Sequence, residues 1–386
     1  MPNRVVPVLA SLALVLIWWL DFGIVQPNRI VPGTGYGLVE AIGAANSAGL
    51  SAGLLALMVM ARHRFRARFY GLGALVALLL MWQPILLAEF ADRQLPADAA
   101  YARTAIGAGF WSLLFLLGLM AIEVLSQLPS PRGHHLILVA LVLVVWGVCV
   151  AAGRLDSLSL VTEYASRPDQ FRQALTHHLA LSLSAVLCSL VIAIALAIMM
   201  MRRDRWRQPV LATVSFLQTI PSLALFGLLI APLSALSTAF PFLQTLGIRG
   251  IGWAPALLAL VAYSLLPIVR NTYVALSEVP DDLVDAGRGM GMSERQLFLK
   301  LKLPLAMPII IEGVRVTTIQ AMGLTAVAAL IGAGGFGTFI FQGLGQAAMD
   351  LVLLGALPTI ALALAADGVL TALGQVCRPA GLKANG

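Results

Sequence analysis

Between Asn271 and Leu303 the sequence gathers charges, glycines and helix caps into one polar stretch of 33 residues. Pro280 followed by Asp281 and Asp282 makes a good first helical turn, because carboxylates favour the positive end of the helix dipole. Leu283, Val284, Ala286 and Met290 then supply an apolar face, and Gly289 and Gly291 stop the helix. Ser293-Glu294-Arg295-Gln296 reads as a capping box for a second helix. Leu297, Phe298 and Leu301 give that helix apolar residues, Lys300 and Lys302 sit at its negative end, and Pro304 is expected to terminate it. The chemistry open to such residues is mechanical rather than covalent. Two crossed amphipathic helices with apolar side chains to bury form a docking knob. A segment lying on a membrane surface without a partner would not explain two capped helices.

Other patterns carry less. The lysines are Lys300, Lys302 and Lys383, and none follows G-x-x-x-x-G-K-[ST], so no nucleotide site is expected on this chain. His134-His135 and His177-His178 are adjacent pairs without metal-ligand spacing. Cys149, Cys188 and Cys377 read as small buried hydrophobes. Gly332-Ala333-Gly334-Gly335-Phe336-Gly337 fits G-x-G-x-x-G literally but follows an apolar span, so a flexible loop is expected there. Gly33-Thr34-Gly35-Tyr36-Gly37 resembles a potassium filter only superficially, since no pore helix leads into it. Gly49 and Gly53 form a small-xxx-small pair expected to pack one helix on a neighbour.

These residues need elements to hold them, and composition says which. Residues of the apolar set make up 60% of the chain and charged residues 11%, with a mean hydropathy of +0.91. So little charge cannot cover a water-facing surface, so the bilayer takes that place. Long apolar runs without alternation exclude a barrel and leave a helical bundle, because lipid offers the backbone no hydrogen bonds. Ten segments approach the length of a spanning helix: 5–20, 38–61, 70–90, 104–125, 136–153, 177–201, 209–231, 254–270, 305–331 and 352–374. The first could be mistaken for a secretory signal, but no convincing cleavage site follows and Trp18-Trp19 looks like an interfacial anchor.

The net charge of +7 sits in short clusters between spans, which argues for membrane anchors and against nucleic acid. With the amino terminus in the cytoplasm, inner segments hold seventeen Lys and Arg and outer segments seven. Both termini are therefore expected inside. The chain divides into five amino-terminal spans (1–153), an outer polar linker with a short surface helix started by Arg167-Pro168-Asp169 (154–176), five further spans (177–375) around the loop 271–304, and a tail (376–386).

Two places within the spans could meet a solute. Gln218, Thr219 and Ser222 flank Pro221, which frees a backbone carbonyl, and irregular backbone at depth is tolerated where it lines a cavity. A kinked helix packed through polar contacts is the other reading. Glu312 and Arg315 share one face of the ninth span, continued by Thr318, Met322 and Thr325. Intramembrane charges mark pathways or neutralise each other, and both readings stay open.

Asp285-Ala286-Gly287, three residues, Gly291, nine residues, then Leu301-Lys302-Leu303-Pro304 resembles the E-A-A-x3-G-x9-I-x-L-P loop of ABC importer permeases. Asp replaces Glu, Leu replaces Ile, and Gly287 replaces the second Ala, weakening the first helix by about 1 kcal/mol. Gln218–Leu225, Tyr263–Tyr273 and Ile331–Gly337 resemble the matching spans of osmoprotectant permeases. The likeness covers residues 170–375, and the first five spans go beyond the usual core. The resemblance implies an all-α integral membrane bundle whose last five spans form a type I importer core. It implies that Asp285, Ala286, Gly287, Gly291, Leu297, Phe298, Leu301, Leu303 and Pro304 couple to a separate ATPase, which holds ATP and Mg, with no cofactor on this chain.

An external solute-binding protein and a second permease, identical or homologous, complete the implied complex in the cytoplasmic (inner) membrane, and no enzyme activity is expected here. The implied solutes are glycine betaine, choline, carnitine or proline betaine, taken up by alternating access. A permease for an amino acid such as methionine would share the loop. An ATPase-independent carrier or a membrane enzyme would survive its loss. No cluster of aromatics suggests a cage for a quaternary amine.

Overall fold

Apolar runs close their own backbone hydrogen bonds as helices, and the computed structural model is built almost wholly from them. It describes residues 4–28, 31, 33–63, 68–95, 102–128 and 132–377, and the side chains of all of these but 132–136. Arg29, Arg64, Arg66, Arg378, Lys383 and the tail beyond 377 lie outside the described residues, as do the side chains of Arg132, His134 and His135. The chain divides into two compact units between Ser166 and Arg167.

The first unit contains α1 (Val5–Trp19), α2 (Leu38–Arg62), α3 (Arg68–Gln94), α4 (Ala108–Gln127), α5 (Arg132–Ala151) and the short α6 (Ser159–Ala165). Helix α1 packs on α4 and α2, α2 on α3, and α3 on α4 and α5. Val6, Ala10, Ala13 and Ile17 are fully buried at i, i+3 and i+4 spacing, so α1 is a core element of this unit. A Cβ on Gly49 would lie 2.8 Å from the Trp82 ring and one on Gly53 2.9 Å from Leu79, so this small-residue pair does seat α2 against α3.

Periodicity missed a three-stranded antiparallel sheet in this unit, with β1 (Gly23–Gln26) between β2 (Thr34–Tyr36) and β3 (Arg103–Ile106). Gly23 pairs with Tyr36 on one side and with Ile106 on the other. The filter-like Gly33–Gly37 run is therefore an edge strand. Arg103 of β3 reaches Glu163 of α6 at 2.9 Å, tying the sheet to the linker.

The second unit begins with α7 (Pro168–Arg202). Pro168 and Asp169 do open a helix, but it is no short surface piece: at 35 residues it extends ~50 Å, more than the ~30 Å of the hydrocarbon core. The short helix of the linker is α6 instead. Next come α8 (Arg207–Thr219), α9 (Ser222–Ala239), α10 (Pro241–Thr245), α11 (Trp253–Ser277), α12 (Asp281–Gly289), α13 (Glu294–Gln296), a π turn (Leu297–Lys302), α14 (Leu303–Ala328), α15 (Gly337–Gly345) and α16 (Met349–Val376). Helix α11 lies against α7 and α14, and α14 packs on α16, which also carries α15. Among the described residues, seven helices (α2, α3, α4, α7, α9, α11 and α16) are long and apolar enough to cross a membrane, while α1 and part of α5 are shorter apolar helices.

Candidate functional site: the knob, the helix break and the ion cluster

The charged loop folds as a small body with its own core. Val284 of α12 and Leu297 of the π turn are buried with Val279, and Met292, Leu301 and Leu305 pack around them. Helix α12 has two faces. Val284 and Gly287 point inward, whereas Leu283 (44% exposed) and Met290 (73%) point away with Ala286. The four apolar residues expected to share one face therefore split, as their i, i+3, i+7 spacing from Leu283 and the offset of Val284 require.

The turn after α12 explains why a glycine is needed at 291. The Met292 N–H donates to the Gly287 carbonyl at 3.1 Å and the Gly291 N–H to the Arg288 carbonyl at 2.9 Å. That is a Schellman motif, with Gly291 in the left-handed position at φ +81°. Ser293 accepts from the Gln296 N–H, and the Gln296 side chain accepts from the Ser293 N–H, closing the expected capping box. Arg288 clamps the two helices, reaching Asp285 at 3.3 Å and Glu294 at 3.2 Å.

Pro304 does not end the second helix. Residues Glu294 to Ala328 run on through the π turn into α14, with Pro304 in the first turn of α14. A proline has no N–H for the carbonyl four residues back, and the wider π turn shifts the hydrogen-bond register just before it. Phe298 and Leu303 pack against Ala275, Leu276, Ala306 and Ile310, so both hold the knob onto the bundle. Of the expected coupling residues, Asp285, Ala286, Gly291 and Pro304 are exposed. Leu297 and Gly287 are internal.

The segment expected as one span at 209–231 is broken. Ile220 and Pro221 adopt extended backbone between α8 and α9. The break is tied to α11 from both sides, because Gln218 Nε2 donates to the Tyr263 carbonyl at 2.6 Å and the Tyr263 hydroxyl donates to the Ile220 carbonyl. Gln218 is thus engaged in holding the break, Thr219 bonds back to the Phe216 carbonyl at 2.7 Å, and Ser222 is half-buried. The break leaves the Ile220 carbonyl outside the bonding of either helix, and a tyrosine from a neighbouring helix satisfies it.

Arg315 meets Glu312 at 3.1 Å as expected, but also Asp367 of α16 at 2.6 Å. The cluster therefore joins α14 to α16 and carries one acid in excess of its arginine. Asp367 is a charge inside an apolar run, and the rule that flagged Arg315 applies equally to it. Thr318, Met322 and Thr325, expected to extend this stripe, are buried in helix packing.

At the end of this unit away from the knob, a cavity of about 630 Å³ opens among Gln173, His177, Arg249, Trp253, Gly334 and Gln342. Its glycine-rich wall is a close-packed turn rather than a flexible loop: a Cβ on Gly334 would lie 2.8 Å from His177 Nδ1, and one on Gly337, where the turn enters α15, 1.8 Å from the Ala326 carbonyl. His178 is fully buried beside the Phe336 ring, 5.5 Å between centroids, while His177 lines the cavity. Cys188 is exposed on α7 rather than buried. Among the described residues no cluster has the composition to hold a metal.

Residues 189–378 match the binding-protein-dependent transport system inner membrane component family. Residues 3–161 match the N-terminal domain described for the ABC transporter permease YehY, so the amino-terminal extension is a domain that recurs elsewhere. The chain is 38% identical over 206 residues to the osmoprotectant import permease protein OsmW of Salmonella typhimurium, covering 53% of this chain and 91% of that one. It is 38% identical to the carnitine transport permease protein OpuCB of Listeria monocytogenes, over 50% of this chain and 81% of that one. The choline transport system permease protein OpuBB of Bacillus subtilis is 34% identical, over 53% and 88%. Among solved structures, the MetNI methionine ABC transporter in an inward-facing form aligns at 21% identity and TM-score 0.47, over 54% of this chain and 96% of that one.

Proposed function

This chain belongs to the family of binding-protein-dependent transport system inner membrane components, as a permease subunit of an ABC importer, and on that premise we propose that it carries osmoprotectants of the quaternary-amine class. The observation that carries the substrate class is the likeness to three permeases named for osmoprotectants, carnitine and choline, spread over 81–91% of their lengths.

The knob is the surface that receives the ATPase subunit. Leu283, Ala286 and Met290 offer the apolar contact, Asp285 sits beside them, and the buried Val284, Gly287 and Leu297 keep the body rigid enough to transmit a displacement. The helix that starts at Glu294 runs on through the π turn into α14, so a push on α12 reaches α14 across the single Schellman turn at Met290–Ser293. The far-end cavity accepts solute from an external binding protein. Between the two ends, the α8–α9 break and the Glu312–Arg315–Asp367 cluster are the places where helices can change partners. The knob faces the cytoplasm of a cell whose inner membrane holds the chain with both termini inside. Two permeases, identical or homologous, form the pathway, and ATP with Mg is handled by the ATPase alone.

The test is ATPase activity of the reconstituted complex with a binding protein present. Glycine betaine, carnitine or choline is expected to stimulate it, and methionine is not; stimulation by methionine alone would refute the substrate class. Arg315→Ala is expected to lower uptake with the complex still assembled, because an intramembrane charge at this place marks a pathway. Normal uptake in that variant would remove the cluster from the mechanism.

A further inference from the structure

A second cleft lies at the knob end of the same unit, with a volume of about 600 Å³. It opens between the last turn of α7 and the helix that starts at the capping box. Its wall is apolar, made of Ile198 and Met201 from α7 and Leu297 and Phe298 from the π turn. Its rim is cationic, with Arg202, Arg295 and Lys302, and includes one acid, Glu294. Residues 198, 201 and 202 share a face of α7, and 294, 298 and 302 follow one another at i+4 spacing, so two helix faces look into one space. The π turn places Phe298 and Lys302 on that face together.

The charges do not cancel locally. Glu294 is already held by Arg288 at 3.2 Å. Arg202, Arg295 and Lys302 have no ion-pair partner among the described residues. A cationic rim over an apolar wall matches one chemistry: an anionic phosphate attached to hydrocarbon. A free anion has no use for the wall, and an apolar polypeptide surface has no use for three unpaired cations. The position agrees, since α7 passes here from the apolar run ending at Met201 into the Arg202–Arg207 segment.

We propose that this cleft binds one anionic phospholipid, with Arg202, Arg295 and Lys302 around its headgroup phosphate and an acyl chain along Ile198, Met201, Leu297 and Phe298. Such a lipid bridges α7 to the knob, so it braces the coupling element against a spanning helix. The proposal does not rest on the identity of the solute.

The experiment is native mass spectrometry of the full chain released from bilayers of phosphatidylcholine with phosphatidylglycerol. The wild-type chain is expected to keep one phosphatidylglycerol in preference to phosphatidylcholine. Arg202→Gln, at an exposed position outside the helix packing, should lower that retention several-fold, and Arg202→Gln with Arg295→Gln and Lys302→Gln at least about tenfold. Arg203→Gln, outside the cleft, should leave it unchanged, and elution on size exclusion identifies variants that have lost the fold. Millimolar inorganic phosphate should not displace the lipid. Retention that ignores headgroup charge, or is equal in Arg202→Gln and wild type, overturns the proposal. So does displacement by inorganic phosphate, which would make this a free-anion site. Displacement by the bound ATPase subunit would instead make the cleft part of a protein interface, and would also overturn it.

Discussion

The two units bury their helices differently. In the first, one apolar cluster runs without interruption from Val6 to Leu158, with Phe22 and Phe110 edge to face at 5.4 Å near the sheet. In the second, buried apolar residues form several separate groups, among them those around Phe226 and Tyr263, around Val269, around Ala306 and around Leu297. Between those groups lie a broken helix, a π turn and an ion cluster. A contiguous close-packed core has one good arrangement, whereas small groups linked by hinges can re-pack past one another. On that contrast, the second unit is the one expected to move and the first the one expected to stay fixed.

The largest expected effect tests the fixed body. Phe110→Ala should destabilise the first unit by about 3–5 kcal/mol, as removal of a fully buried aromatic does. Thermal unfolding of the purified chain reads this directly. ATP-driven uptake per folded molecule should stay within about twofold if that unit only supports; a parallel loss of uptake would break the division.

Gly291→Val comes next. A β-branched residue at φ +81° carries about 1–3 kcal/mol of strain. The strain falls on the Schellman turn that seats α12, so coupling should drop about tenfold while insertion continues. Gly291→Asn tolerates the left-handed region and should keep most of the activity. Co-purification of the ATPase together with uptake separates lost docking from lost chain. Equal activity of the Val and Asn variants would show that the turn does not matter.

Tyr263→Phe is the mildest. It leaves the Ile220 carbonyl without its donor, at a cost of about 1 kcal/mol, which shifts the thermal midpoint by about 2–4 °C. Uptake should fall by more than that loss of stability explains, because the break is a hinge. A variant changed only in midpoint would make the tie purely structural.

The knob was legible because its rules are local. Caps, dipole partners and a stop glycine lie within four residues of what they act on, so Ser293, Gln296 and Gly291 could be placed from the chain alone. Pro304 misled for the same reason. A proline read locally ends a helix, whereas here the preceding π turn shifts the register and the helix runs on past Pro304. The tie from Tyr263 to Ile220 and that from Asp367 to Arg315 join residues 43 and 52 positions apart, beyond any helical period. Strands of three or four residues between spans carry too few alternations to be read at all.

Force delivered through the knob is best tested in liposomes holding the purified chain, with and without its ATPase subunit. Uptake of labelled glycine betaine is expected only when the ATPase and ATP are present, and should fall about tenfold when Gly291→Val replaces the wild-type chain. Solute accumulation by the chain alone, unaffected by that substitution, would contradict a permease driven from outside the bilayer.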